Sequence, residues 1–249
     1  MKLSMKHISN NKYFTLTFTL ALIASWIMTS YFSINGTQSL IFSHVTLGGL
    51  AFLIGAIALI SKKGSPLHKL TGKLFTISMV VSVSIAVIVS MLPGHVSPTM
   101  FHIGLLTLYF LIGGNRSLAF KNPNPRLITD RILAYTIIIV SLIIMSYSVI
   151  LDGNLHPLRT VFGTIGIGFG IVDILLFRQS KNIKSKWLIL HISKMLGGYT
   201  AAVTAFFVAQ NILTGYFNWF APTAMGLAYI SFWLFKLKTF KPAMATHFN

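Results

Sequence analysis

Gln38–Lys63 reads QSLIFSHVTLGGLAFLIGAIALISKK, a long apolar run with no acidic residue, closed by two lysines. A spanning α-helix needs about 20 mostly apolar residues, and a Lys/Arg-rich flank marks the cytoplasmic end. Seven further segments read the same way: about 13–34, 70–92, 100–119, 131–151, 158–177, 187–212 and 218–236. The fold class is therefore all-α, a polytopic integral membrane helical bundle of about eight transmembrane helices. Connections are short and leave no room for a soluble module, so residues 1–249 are expected to form one membrane domain.

Composition agrees. The chain is 54% apolar and 9% charged, where soluble domains carry about 25% charged residues. Asp130, Asp152 and Asp173 are its only acids, and it has no cysteine. This excludes a globular cytosolic enzyme, a disordered chain, a disulfide scaffold, and thiolate zinc or iron–sulfur sites. The first segment follows a basic stretch, but it exceeds the 7–15 apolar residues of a signal peptide. It is expected to stay as an anchor.

A net charge of +17 would suit nucleic acid, but the charges follow the helices. With a cytoplasmic N-terminus, 18 of the 20 Lys and Arg residues fall on one side. They lie at Lys2, Lys6 and Lys12, at 62–73, 116–131 and 178–186, and at Lys236, Lys238 and Lys241. Arg159 alone lies opposite, and Lys194 lies within a segment. The pattern predicts an N-in, C-in protein of the inner (cytoplasmic) membrane. Its basic face suits anionic lipid, and no nucleic-acid partner is expected.

Residues 44–63 overlay residues 102–121 at an offset of 58 with eight identities, His44/His102 and Gly55/Gly113 among them. This is read as a parallel repeat or as chance in a biased composition.

Ionisable residues inside a membrane are costly, so they are candidate functional groups. In the seventh segment His191, Lys194, Gly198, Ala202, Ala205 and Ala209 share a helical face. In the sixth, Gly166, Gly170 and Asp173 do the same. Asp173 and Lys194 are expected about 6 and 10 Å from the cytoplasmic ends of their helices, close enough to pair. Tyr199 completes the candidate polar cluster. The plain alternative is a structural pair that locks two helices. His68 lies in the cytoplasmic turn SKKGSPLHKLTGK; it approaches His191 and Asp173 if their helices meet and is otherwise solvated. His44 and His102 enter one turn below the outer surface on glycine-bearing faces. Two histidines at one depth on parallel helices are what a bis-imidazole haem needs; interfacial histidines beside packing glycines are the alternative. Asn211, Tyr216, Asn218 and Trp219 read as an interfacial belt. No H-E-x-x-H, phosphate-loop or G-x-S-x-G pattern occurs.

His44-x3-Gly48-x6-Gly55 and then KKG-x3-His68-x3-Gly72 begin a longer pattern. It continues through Phe101, Tyr109-x3-Gly113, Phe162-Gly163 and Asp173. It ends in Trp187-x3-His191-x3-Met195-x3-Tyr199 and Thr204-Ala205-Phe206. Over about residues 44–236 the chain resembles the membrane-protein family called domain of unknown function 2306. On that resemblance His44, His68, Asp173, His191 and Tyr199 match the family pattern. Lys194 stands where the family has Arg, and His102 where it has an apolar residue. The family brings no established activity.

Three functional expectations follow. One is a redox protein holding b-type haem, resembling in outline the two-haem ascorbate-dependent ferric reductases, with ligands among His44, His68, His102 and His191 and an electron-transfer partner. Another is an intramembrane metal hydrolase with zinc on His68, Asp173 and His191, resembling in outline the progestin and adipoQ receptor group but lacking its paired histidines on the last helix. The third is a proton-coupled transporter or assembly factor gated by Asp173, Lys194 and His191.

Overall fold

A computed structural model describes residues 36–122, 125–178 and 183–245. The expected first span, 13–34, lies outside the described residues, as do Lys2, Lys6, Lys12 and Lys181. Within them are seven α-helices: α1 (Gly36–Ile60), α2 (Pro66–Val89), α3 (Pro98–Arg116), α4 (Ile128–Asp152), α5 (Pro157–Arg178), α6 (Ile183–Gln210) and α7 (Phe217–Ala245). A 3-10 turn, Ser117–Lys121, extends α3. All seven are long and apolar enough to cross a membrane, and the chain is a multi-pass membrane protein. It divides into two compact units, Met1–Val96 and Ser97–Asn249.

The first unit contributes α1 and α2. Its turn contains Gly64 at φ +79°, a left-handed conformation that costs glycine little. Ser65 then caps α2 by accepting from the His68 backbone N–H at 3.2 Å, with Pro66 at the first helical position. This cap starts α2 earlier than the apolar pattern alone suggests, so His68 lies in its first turn. His44 meets Ser82 at one end and His68 meets Ala58 at the other, so the helices run antiparallel. Leu47, Ala51, Gly55 and Ala58 form the buried stripe of α1. Small residues at this spacing bring two backbones close, which drives helix association where lipid removes the hydrophobic contrast.

In the second unit α3 is the most buried span and touches α4, α5 and α6. Ser97 caps it by accepting from the Met100 N–H, again ahead of a proline. Glycines set each close contact. A Cβ on Gly163 would come within 2.6 Å of Met145, one on Gly170 within 2.6 Å of Ile138, and one on Gly166 would collide with Ser141. These fix α4 against α5. Likewise Gly197 and Gly198 receive Phe110 and Leu111 of α3, and Gly226 of α7 receives Thr200 of α6. Phe110 meets Phe169 edge-on, with centroids 4.9 Å apart, inside a core of Leu106, Tyr109, Ile137, Leu158 and Phe162.

The side-chain pairings show that the five helices alternate in direction. Their basic termini, Arg116, Arg131, Arg178 and Lys184, therefore gather at one end of this unit, and Arg159 lies at the other. The one-sided charge read from the sequence is a property of the fold here.

Asn218 departs from the expected interfacial belt. It is buried, accepts from the Leu213 N–H at 2.7 Å and donates to Asn211 Oδ1 at 3.0 Å. It ties the α6–α7 turn, in which Asn211 has a positive φ of 48°. Trp219 is half-buried and packs edge-on against Phe162.

Candidate functional site

Three helices of the second unit supply one buried ionic cluster. Asp173 follows Gly166 and Gly170 on the face of α5 that turns inward, and it is 1% exposed. Lys194 of α6 is 3% exposed and Tyr109 of α3 is 2% exposed. The Lys194 ammonium donates to Asp173 Oδ2, and the Tyr109 hydroxyl donates to the same oxygen at 2.6 Å. The ammonium also lies 4.1 Å from the centroid of the Tyr109 ring, a cation–π distance. Removing one charge of a buried pair leaves the other without compensation; here the carboxylate has the ammonium and the phenol, and the ammonium has the carboxylate and the ring.

Gly113 makes room for this arrangement. A Cβ there would stand 2.7 Å from Lys194 Nζ and 3.0 Å from its Cδ, so the lysine lies in the slot that the glycine opens. Gly114 beside it is equally tight against Met195 and Lys194. Because α6 begins at Ile183, not near 187, Lys194 is about 16 Å along its helix. Asp173 is about 8 Å from the Arg178 end of α5, so the cluster lies toward the basic end of the unit. Chemically, a carboxylate with an ammonium and a phenol on one oxygen can hold a proton or release one when the ion pair opens.

The pair between Asp173 and Lys194 is as expected; the phenol on the carboxylate is Tyr109, not Tyr199. Tyr199 is half-buried on α6. The small-residue face of α6 is buried as far as Ala202, while Ala205 and Ala209, farther along the same face, are exposed.

The histidines are each engaged within their own unit. His191 Nδ1 lies 2.9 Å from the Gly114 carbonyl, one turn before Lys194. His68 Nδ1 lies 2.9 Å from the Ala58 carbonyl, and His44 Nδ1 lies 2.9 Å from the Ser82 carbonyl. A carbonyl only accepts, so these three rings donate through Nδ1. His102 differs: it is fully buried, its Nε2 is 2.9 Å from Ser141 Oγ, and its Nδ1 has no partner. His44 and His102 each reach a fully buried serine on the following helix, 38 and 39 residues on, in keeping with the repeat.

Among the described residues no three His, Asp or Glu side chains gather where they would hold a metal ion. Of the expected zinc set, His68 belongs to the first unit and Asp173 and His191 to the second. The Asp173 carboxylate is engaged by Lys194 and Tyr109, and His191 Nδ1 by a backbone carbonyl.

One functional-looking contact had no counterpart in the sequence reading. Arg116 grips buried Asp130 through two bonds, Nε to Oδ1 at 2.9 Å and Nη2 to Oδ2 at 2.8 Å. Nη2 also donates to the Arg126 carbonyl. Their place at the two ends of one helix–helix connection was the available signal.

Comparisons with protein-family models, with curated proteins and with solved structures give no match to this chain.

Proposed function

We propose that the protein is a proton-coupled membrane transporter in which the Asp173–Lys194–Tyr109 cluster is the gate. The observation that carries this reading is an ion pair and a phenol buried together among three long apolar helices. Charges buried among such helices are expensive and recur in proton relays and substrate pathways. Protonating Asp173 removes the attraction for Lys194 and frees the lysine to leave the Gly113 slot, which loosens α3 from α6. The basic end of the bundle faces the cytoplasm in this reading, against anionic lipid of the inner membrane. The test is proton flux into liposomes holding a pH-sensitive dye under an imposed potassium potential. Wild type carries flux and Asp173→Asn abolishes it; equal flux in both sinks the reading.

A second reading, b-type haem, is favoured by the Nδ1-to-carbonyl bonds of His44, His68 and His191. Metal-bound histidines are oriented by such a bond from the ring nitrogen that does not ligate. His102 fits less well, since its Nε2 faces Ser141. A b-type band in the reduced-minus-oxidised spectrum of protein expressed with haem supports this reading, and a flat spectrum removes it. These histidines and Asp173 also carry the resemblance to the domain of unknown function 2306 family, so either result would bear on that family.

A further inference from the structure

Buried residues on one face of α3 recur every three or four positions: Thr99, His102, Leu106, Tyr109 and Gly113, with half-buried Arg116 at the end. Nearly every position has a polar partner. Thr99 accepts from Arg159 at 3.0 Å, His102 meets Ser141, Tyr109 meets Asp173, Gly113 houses Lys194, and Arg116 holds Asp130. Leu106 is the apolar exception. It lies between the two ionisable stations, in the core with Ile137 and Phe162. His102 and Tyr109 are two turns apart, about 10 Å along the helix.

His102 is the anomaly in this row. It is 1% exposed, and its Nδ1 is buried with no hydrogen-bond partner. Packing alone explains neither an imidazole nor an orphaned nitrogen, because an apolar side chain of that size would avoid the desolvation cost. Ser141 is the polar group facing it from α4, and Gly166 of α5 closes behind that serine. Along the seam the flanking charged groups are Arg159, through Thr99, on one side and Asp173 with Lys194 on the other.

We propose that His102, held by Ser141, is a second proton-holding station of the same pathway, separated from Asp173 by an apolar plug centred on Leu106. This rests on the transport reading above. A proton taken up at Nδ1 from the Arg159 side passes through water that transiently wets the plug, and Asp173 accepts it. His102 is left neutral and the Asp173–Lys194 pair opens. The plug gates by dewetting, as hydrophobic constrictions in channels do.

The test uses the full-length protein in the same liposome assay. His102→Gln is expected to lower flux about tenfold or more. Leu106→Ala, which widens the wet path, is expected to raise it. The double variant should recover flux, because water then bypasses the relay; a merely structural histidine would not be rescued by a smaller neighbour. Wild-type flux in folded His102→Gln, with Asp173→Asn still blocking, overturns the relay and leaves the transport reading standing. Flux that survives Asp173→Asn overturns both. If His102→Gln does not fold, nitrogen NMR of histidine-labelled wild type in bilayers decides. A His102 ring that gains a proton as pH falls on the Arg159 side supports the station, and one that stays neutral until unfolding refutes it.

Discussion

Lys194→Met is the most informative single change, because it removes the ammonium and keeps an unbranched side chain in the Gly113 slot. Asp173 then retains only the Tyr109 hydroxyl. With side chains 4% and 2% exposed, water cannot replace the lost partner. Breaking a buried pair from one side costs about 3–5 kcal/mol. Asp173→Asn should also destabilise, since it strands Lys194. The double variant Asp173→Asn/Lys194→Met should be far milder than the sum, because two neutral side chains replace the pair. Unfolding in mixed detergent micelles, followed by tryptophan fluorescence, gives all four corners of the cycle. Additive single costs, or single costs below about 1 kcal/mol, would refute a tightly coupled buried pair.

Other consequences are more local. Tyr109→Phe deletes a bond to a charged acceptor and should cost about 1.5–3 kcal/mol in the same unfolding assay, with the ring's packing against Phe110 kept. Gly113→Ala puts a methyl 2.7 Å from the Lys194 ammonium; it should mimic Lys194→Met in part, a loss in the unfolding assay that Ala at the exposed Gly168 would not show. Gly166→Ala collides with Ser141, so α4 and α5 must part, at about 1–3 kcal/mol of overpacking read by thermal melting. Arg116→Lys keeps the charge but gives up one of the two bonds to Asp130, a loss of about 1.5 kcal/mol that Arg alone restores.

Much of this was legible in the chain itself. Each span announces itself by length and apolarity, and every second connection by its lysines and arginines. Asp173 and Lys194 stand out because an ionisable residue inside an apolar run has few places to go. Tyr109 was not legible as their partner. A tyrosine in a membrane helix is ordinary, and only the antiparallel contact of α3 with α6 puts Tyr109 and Gly113 opposite Lys194. For His102 the sequence leaves a haem-facing and an interfacial position open, and only the packing of α3 on α4 brings its Nε2 to Ser141. His68 was placed in a loop because the apolar pattern starts later than the Ser65–Pro66 cap does.

The membrane class, the positions of the spans and the basic end of the bundle are properties of single segments, set by the transfer of side chains between water and lipid. They need no knowledge of which helix touches which. The phenol on Asp173, the Arg116–Asp130 clamp and the orphaned nitrogen of His102 are properties of pairs and triples of helices. They depend on the rotation and direction of each helix about its neighbours, which in lipid are chosen by glycine slots and buried hydrogen bonds. Those contacts exist only once the helices are packed.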